Sequence, residues 1–439
     1  MNETLLYLLG IVLLLAGVGF SIGWHELGHL IPAKLFGVRV MQYMIGFGPT
    51  VFSKKIGETE YGIKLIPLGG YISMIGMFLP AKANSRPPKA LQTKGLFGFF
   101  RSMIADARPN VDSMSADEAK RQFHRLNPLK RMIIMFGGPF MNLILGFLLL
   151  SIALSGIGVY GASNRIQDVM QCVPVSGSAQ ECEVANSVES PAKIAGLQAN
   201  DLVIAVNSNP VNSWPEAKAL IVSAKTKTQT LTISRDSKTI DLQITPVVLS
   251  EPILDAAGNV RIQPGPFIGV SLANEIIHLP LSEVASLSAQ NVSSVFSMLG
   301  NLPTDISKAV NATISGQERS TDGPISIVGL SNLAGEVAAA PNADLSAKVA
   351  NGLLMLASLN FALFAFNMIP LLPLDGGHIA SAIYESIKRG AFRLLGKKDP
   401  GPVDTALLVP VTWLVFILLF ALSIVLIATD LVNPVSLGS

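Results

Sequence analysis

The 439-residue chain is 50% hydrophobic and only 14% charged, against about 25% charged residues in an average soluble domain. So little charge excludes a wholly soluble globule. A net charge of +2 with no basic–aromatic pattern gives no support to nucleic-acid binding.

The first element, Thr4–Trp24, is 21 residues without a charge, long enough to cross about 30 Å of hydrocarbon as a helix. The leader MNET lacks the basic n-region of a signal peptide, so residues 1–36 are expected to form a retained first span. Its far end reads SIGWHELGHLIPAK. His25 and His29, four apart, share one helical face, so both imidazoles can reach one metal with Glu26 beside it. Zinc suits imidazole ligands and acidifies water at an open fourth position. Glu26 is then the expected general base. Two histidines do not complete such a site, and a third protein ligand must come from elsewhere. Glu58 and Glu60 are near in sequence but lie in the polar turn SKKIGETE.

Residues 37–79 read as extended strands punctuated by Gly46, Gly48 and Pro49; a plain cytoplasmic hairpin is the bland alternative. Residues 80–130 form a polar insert. The second span is expected over 131–160, inside the uncharged run 132–164. Both cysteines, Cys172 and Cys182, follow it, and a disulfide or two free thiols are both open. The uncharged run Val284–Thr304 contains five serines, so an amphipathic surface helix is expected there rather than a span.

The third span, 349–378, ends in NMIPLLPLDGGHI. Pro370 and Pro373 each remove a backbone donor, and Gly376 and Gly377 loosen the same place, so Asn367–Gly377 should depart from a regular helix. Asn367 is a candidate partner for an unwound substrate backbone. Asp375 is the candidate third ligand, because the first and third spans run in the same direction and bring both motifs to a similar depth. An aspartate there needs a partner. His378 reads as a neighbour of the site rather than a ligand. A basic loop, 379–404, precedes the last span at 405–432.

The segment Lys34–Arg131 holds 16 Lys and Arg against 6 acids, whereas Arg165–Lys348 holds 11 against 17. The positive-inside rule therefore puts 34–131 and 376–404 in the cytoplasm, with both termini and the 160–348 block outside.

With HELGH at 25–29, GGPFMN at 137–142, the strand region 45–77 and NMIPLLPLDGGH at 367–378, the chain resembles the site-2 protease family of intramembrane zinc metalloproteases. The likeness is to the bacterial inner-membrane branch that carries a PDZ domain and cleaves anti-sigma factors. The resemblance implies Zn2+ on His25, His29 and Asp375, Glu26 as catalytic base, and Asn367, Pro370 and Asn142 as substrate-binding residues. It also implies that 45–77 can pair as strands with an unwound substrate. Residues 189–221 and 229–247 look like one PDZ domain, 161–250, followed by an extracytoplasmic region, 251–348. The usual Pro-Gly-Asp appears as Ala199-Asn200-Asp201 and the usual Asn-Gly as Asn207-Ser208.

The expected architecture is four transmembrane helices, a membrane-associated β-hairpin region and one extracytoplasmic PDZ domain. The expected partners are the lipid bilayer and a membrane protein with a transmembrane helix. Two other readings use the same residues: a membrane metal-binding or transport protein, and a PDZ scaffold with a vestigial metal site. The first gives no reason for the glutamate between the histidines, and conduction would favour several intramembrane acids where only Asp375 is seen.

Overall fold

The structure, a computed structural model, describes residues 2–80, 103–104, 108, 116–174, 187–211, 213–254, 260–317, 319, 323–341 and 343–435. The chain divides into one unit made of Met1–Ile157 with Pro280–Ser439, and a second, Gly158–Leu279. Most of the 80–130 insert and Cys182 lie outside the described residues. Cys172 is disulfide-bonded.

Helix α1, Glu3–Leu35, is capped by the Asn2 side chain. Strands β1 (Val40–Ile56) and β2 (Thr59–Met74) follow, then α2, Pro128–Ser151, which continues through a π-helical turn to Ile157. Strand β3 (Val159–Val169) opens the second unit, followed by β4 (Cys172–Pro174), β5 (Ser187–Glu189), α3 (Pro191–Ile194), β6 (Leu202–Val206), β7 (Asn209–Pro210) and α4 (Trp214–Ser223). Strands β8 (Gln229–Arg235), β9 (Lys238–Ile244), β10 (Val247–Leu254), β11 (Val260–Phe267) and β12 (Val270–Ile277) complete it. The first unit resumes with α5 (Leu281–Ser315), α6 (Ile327–Ala339), α7 (Leu345–Asn367), α8 (Asp375–Leu394) and α9 (Val409–Val432).

Among the described residues, four helical segments are long and apolar enough to cross a membrane: Glu3–Leu35, Pro128–Ile157, Leu345–Asn367 and Thr405–Val432. The protein is therefore mostly helical, with β-sheet besides. In the first unit α1 and α2 cross where Gly28 meets Gly137. A Cβ on Gly28 would lie 2.2 Å from the Gly137 carbonyl oxygen, and one on Gly137 would lie 2.0 Å from that of Gly28. Small residues let two backbones approach where apolar burial gives no driving force.

The strand region is more folded than a hairpin. Residues 40–45 pair with 60–63 on one side and with 70–74 on the other, while 52–56 pair with 59–63. The two long strands thus bend into four segments with 70–74 at one edge; 42–45 runs antiparallel to 70–73 and in parallel register with 60–63, and 52–56 is antiparallel to 59–63. The bend at Gly46 needs a φ of +94°, and a Cβ there would sit 2.6 Å from the Ile66 carbonyl. That is a left-handed conformation only glycine adopts cheaply.

Three features of the first unit differ from the sequence expectation. The third span stops at Asn367 rather than running to 378, and Asp375 starts a separate helix. The two prolines cannot continue the ladder. Gly376 and Gly377 let α8 fold back on the turn: a Cβ on Gly376 would lie 2.3 Å from the Ile369 carbonyl. Most of the expected 379–404 loop is helix α8. Helix α6, only 13 residues long, packs along α1, with the Ala334 carbonyl 2.4 Å from where a Cβ of Gly10 would stand. The expected amphipathic helix is α5, which extends over 35 residues.

The second unit is an antiparallel sheet in the order β12-β3-β6-β8-β9, with β7 added to β6. Its core gathers Ile166, Val203, Leu231, Ile233 and Ile244 with Ala217 and Ile221 of α4. Strand β12 closes on β3, so the unit runs to Leu279 rather than stopping near 250. Among the described residues, 280–348 contributes helices and no further sheet. Asn200 (φ 72°) and Ser208 (φ 65°) take the left-handed positions where the sequence lacks the expected glycines. The buried Asp201 carboxylate receives Arg235 through two 2.7 Å bonds and the Gln198 amide at 2.8 Å, which fixes that turn.

Candidate metal centre

The three ligand candidates arrive from one helix and the start of another. His25 and His29 lie one turn apart on α1, and Asp375 is the first residue of α8. His25 Nε2 and His29 Nε2 are 3.1 Å apart, and Asp375 Oδ2 lies 3.2 and 3.3 Å from them. A tetrahedral centre with bonds of about 2.0–2.1 Å separates neighbouring donors by about 3.3 Å. The triangle already has that size. The three form one potential metal-binding group.

Two further observations fit a cation. Asp375 Oδ2 is buried and accepts no hydrogen bond, despite the nearby ring nitrogens. A desolvated carboxylate oxygen left so is costly unless a cation meets it. Second, Gly138 of α2 leaves space at the donor atoms: a Cβ there would lie 2.2 Å from His29 Nε2 and 2.8 Å from His25 Nε2. Burial alone would raise the Asp375 pKa, but His29 and His25 hold its carboxyl well below the ordinary range.

Each imidazole is oriented from behind. His29 Nδ1 lies 2.8 Å from the Ile134 carbonyl, so it donates there and leaves Nε2 as the free lone pair. His25 Nδ1 lies 3.1 Å from the Asn142 amide. For Nε2 of His25 to bind a metal, Nδ1 must carry the proton, so Asn142 must present its oxygen. Asn142 is fully buried. Its position is that of a support for His25, whereas the sequence reading grouped it with substrate-binding residues. Trp24 Nε1 donates to the Met141 carbonyl at 3.0 Å and locks α1 to α2 beside the site.

Glu26 is buried on the flank of α1 that faces the strand region. The Ile72 backbone hydrogen-bonds its carboxylate, and Gly70 makes room, since a Cβ there would sit 3.2 Å from Glu26 Cγ. The edge segment 70–74 therefore borders the candidate base. Tyr43, on the adjoining segment, donates to the Gly23 carbonyl at 2.6 Å.

Asn367 ends α7, and its amide donates to the Leu363 carbonyl at 3.0 Å. Pro370 is exposed in the non-helical turn 368–374. Neither residue belongs to the three-donor cluster. His378 is also outside it; burial lowers its pKa to about 4, and it lines a cleft with Arg131, His124 and Ser381. Glu58 pairs with Arg121 and takes no part in the cluster.

Sequence reasoning brought His25, Glu26, His29 and Asp375 to one place. It missed Gly138, the Ile134 carbonyl and the bordering segment at Gly70 and Ile72. The paired glycines of GGPFMN were the available signal for the first, because adjacent glycines inside an apolar helix need a packing reason.

A family model described as Peptidase family M50 matches residues 13–397. The zinc metalloprotease Rip1 of Mycobacterium tuberculosis is 29% identical over 99% of this chain and 100% of its own length. The zinc metalloprotease Rip1 of Mycolicibacterium smegmatis is 30% identical over 98% of each chain.

Proposed function

The chain belongs to peptidase family M50 and is an intramembrane zinc metalloprotease; from that premise we propose that His25, His29 and Asp375 hold the zinc and Glu26 moves the protons. The observation that carries this assignment is the triangle of donor atoms, one corner of which is a buried carboxylate oxygen that accepts no hydrogen bond. When bound, zinc supplies a Lewis acid that acidifies water and polarises a peptide carbonyl. Glu26 takes one proton from the attacking water and delivers it to the departing amide nitrogen. The Ile72 contact keeps its carboxylate turned toward the strand edge, where that nitrogen would lie. Asn142 and the Ile134 carbonyl set the two imidazole tautomers.

The substrate is a membrane protein cut within or beside a transmembrane helix. A regular helix hides its carbonyls in hydrogen bonds, so the cut segment must be unwound. Edge segment 70–74 offers main-chain groups to an extended segment beside Glu26, which favours strand addition. Asn367 at the end of α7 and Pro370 in the non-helical turn 368–374 that leads to Asp375 are read as substrate contacts. The second unit is read as a PDZ domain that filters substrates already trimmed outside, with both termini on that same side of a bacterial inner membrane. An anti-sigma factor or similar signalling protein is the substrate class this reading favours.

The test is Glu26→Gln in the full chain with a model transmembrane substrate. Zinc content should stay near one per chain while cleavage disappears. Persisting cleavage would overturn the role of Glu26, and zinc loss after Glu26→Gln would make it a ligand instead.

A further inference from the structure

Helix α8 is amphipathic with its polar face inward. Glu385 is 1% exposed, is ion-paired with Arg131 Nη2 at 2.6 Å, and accepts from the Val403 amide at 3.0 Å. Ser381 and His378, on the same face, look into the cleft that Arg131 also lines. The opposite face carries Ile383, Tyr384, Ile387 and Leu394, all exposed, Ile387 by 66% and Leu394 by 90%. They recur at helical spacing and form one stripe, continued by Leu395. A helix on a water-facing surface has the reverse arrangement, apolar side in and polar side out.

What covers the stripe follows from tethering and charge. Only residues 368–374 separate α8 from the end of span α7, and only 395–404 separate it from the turn Thr405–Leu408 that starts the last span. A helix tied so closely at both ends stays at the membrane surface. It cannot be a span itself, because Asp375, Glu385, Lys388, Arg389 and Arg393 all fall within it. Among the described residues Arg389 is ion-paired, to Glu385 and Asp399, whereas Lys388, Arg393, Lys397 and Lys398 make no ion pair. Helical geometry puts Lys388 on one side of the stripe and Arg393 on the other, where their stems can lie along apolar surface and lift the charge to the headgroups.

We propose that α8 lies in the plane of the bilayer interface, its stripe among the acyl chains and its Lys388 and Arg393, with Lys397 and Lys398 just beyond its end, on anionic phospholipid headgroups. Apolar burial and attraction to anionic lipid together are what hold interfacial helices. This surface rests on membrane embedding alone and is independent of the ligand assignment. Asp375 is the first residue of α8, so the bilayer would seat the helix that carries that carboxylate.

The test uses the full chain in nanodiscs of phosphatidylcholine, with and without phosphatidylglycerol. Single spin labels are placed through Ile387→Cys, Leu394→Cys and, on the flank, Ser386→Cys. At 387 and 394 oxygen accessibility should exceed nickel-complex accessibility several-fold more than at 386, at a depth of about 5–10 Å. Nickel access at 387 and 394 equal to that at 386 would overturn the proposal in favour of a water-facing stripe. Exclusion of both probes would overturn it in favour of cover by protein, whether the insert or a second copy. Phosphatidylglycerol should deepen both labels, and Lys388→Gln, Arg393→Gln, Lys397→Gln and Lys398→Gln combined should remove that shift. Equal depth in the two lipids would overturn the anionic headgroup half of the proposal.

Discussion

Asp375 and Asp430 are two carboxylates withdrawn from water within the same unit, and the protein treats them oppositely. Asp430, near the end of α9, has a fully buried side chain. Arg319 pairs with its Oδ1, and the Ser326 amide donates to Oδ2 at 2.6 Å. Arg319 is itself completed by the Pro324 carbonyl at 2.8 Å. That charge is satisfied from within and needs nothing further. Asp375 sees two ring nitrogens at 3.2 and 3.3 Å and receives no hydrogen bond on Oδ2. One aspartate is a structural joint, and the other is the one proposed as a zinc ligand. The distinction lies in the partner chemistry, since both carboxylates are withdrawn from water.

That contrast can be broken by substitution, and the largest effect belongs to Asp375→Asn. It keeps the shape and removes the charge, so bound zinc should fall from one per chain to near zero and cleavage to background. Metal analysis of purified protein reads the first and a membrane-substrate assay the second. The matched change Asp430→Asn should leave zinc stoichiometry alone and lower stability by about 3–5 kcal/mol, since it strands a buried guanidinium; thermal unfolding in detergent measures it. If Asp430→Asn lost zinc as completely as Asp375→Asn, the two sites would not be separable as argued.

Smaller effects sharpen the same division. Asn142→Ala removes the acceptor behind His25 and should weaken zinc binding about 10–100-fold, read by competition with a chelator at unchanged helical content. Tyr43→Phe removes the bond to the Gly23 carbonyl and should cost about 1 kcal/mol of stability with zinc affinity unmoved.

The pattern at 25–29 carried its chemistry openly, because the 3.6-residue repeat alone puts two imidazoles on one face. The four spans were equally legible, since lipid demands a length and a polarity that composition reveals. The proline and glycine run at 370–377 announced a break but not its form: the chain ends one helix and starts another at the aspartate itself. The short helix Ile327–Ala339 was invisible to a span criterion because 13 residues cannot cross a bilayer. Its place along α1 depends on Gly10 and the backbone of Ala334 meeting.

Sequence alone thus determined the helix-borne half of the site, His25, Glu26 and His29, because local periodicity needs no knowledge of distant residues. Asp375 was also a sequence candidate, but only the tertiary structure set its Oδ2 3.2 and 3.3 Å from the two imidazoles, put Gly138 against their Nε2 atoms, set Asn142 at His25 Nδ1 and brought Ile72 to Glu26. Those are contacts between segments far apart along the chain. They are fixed by how closely two backbones can approach and by which buried polar atoms remain without a partner.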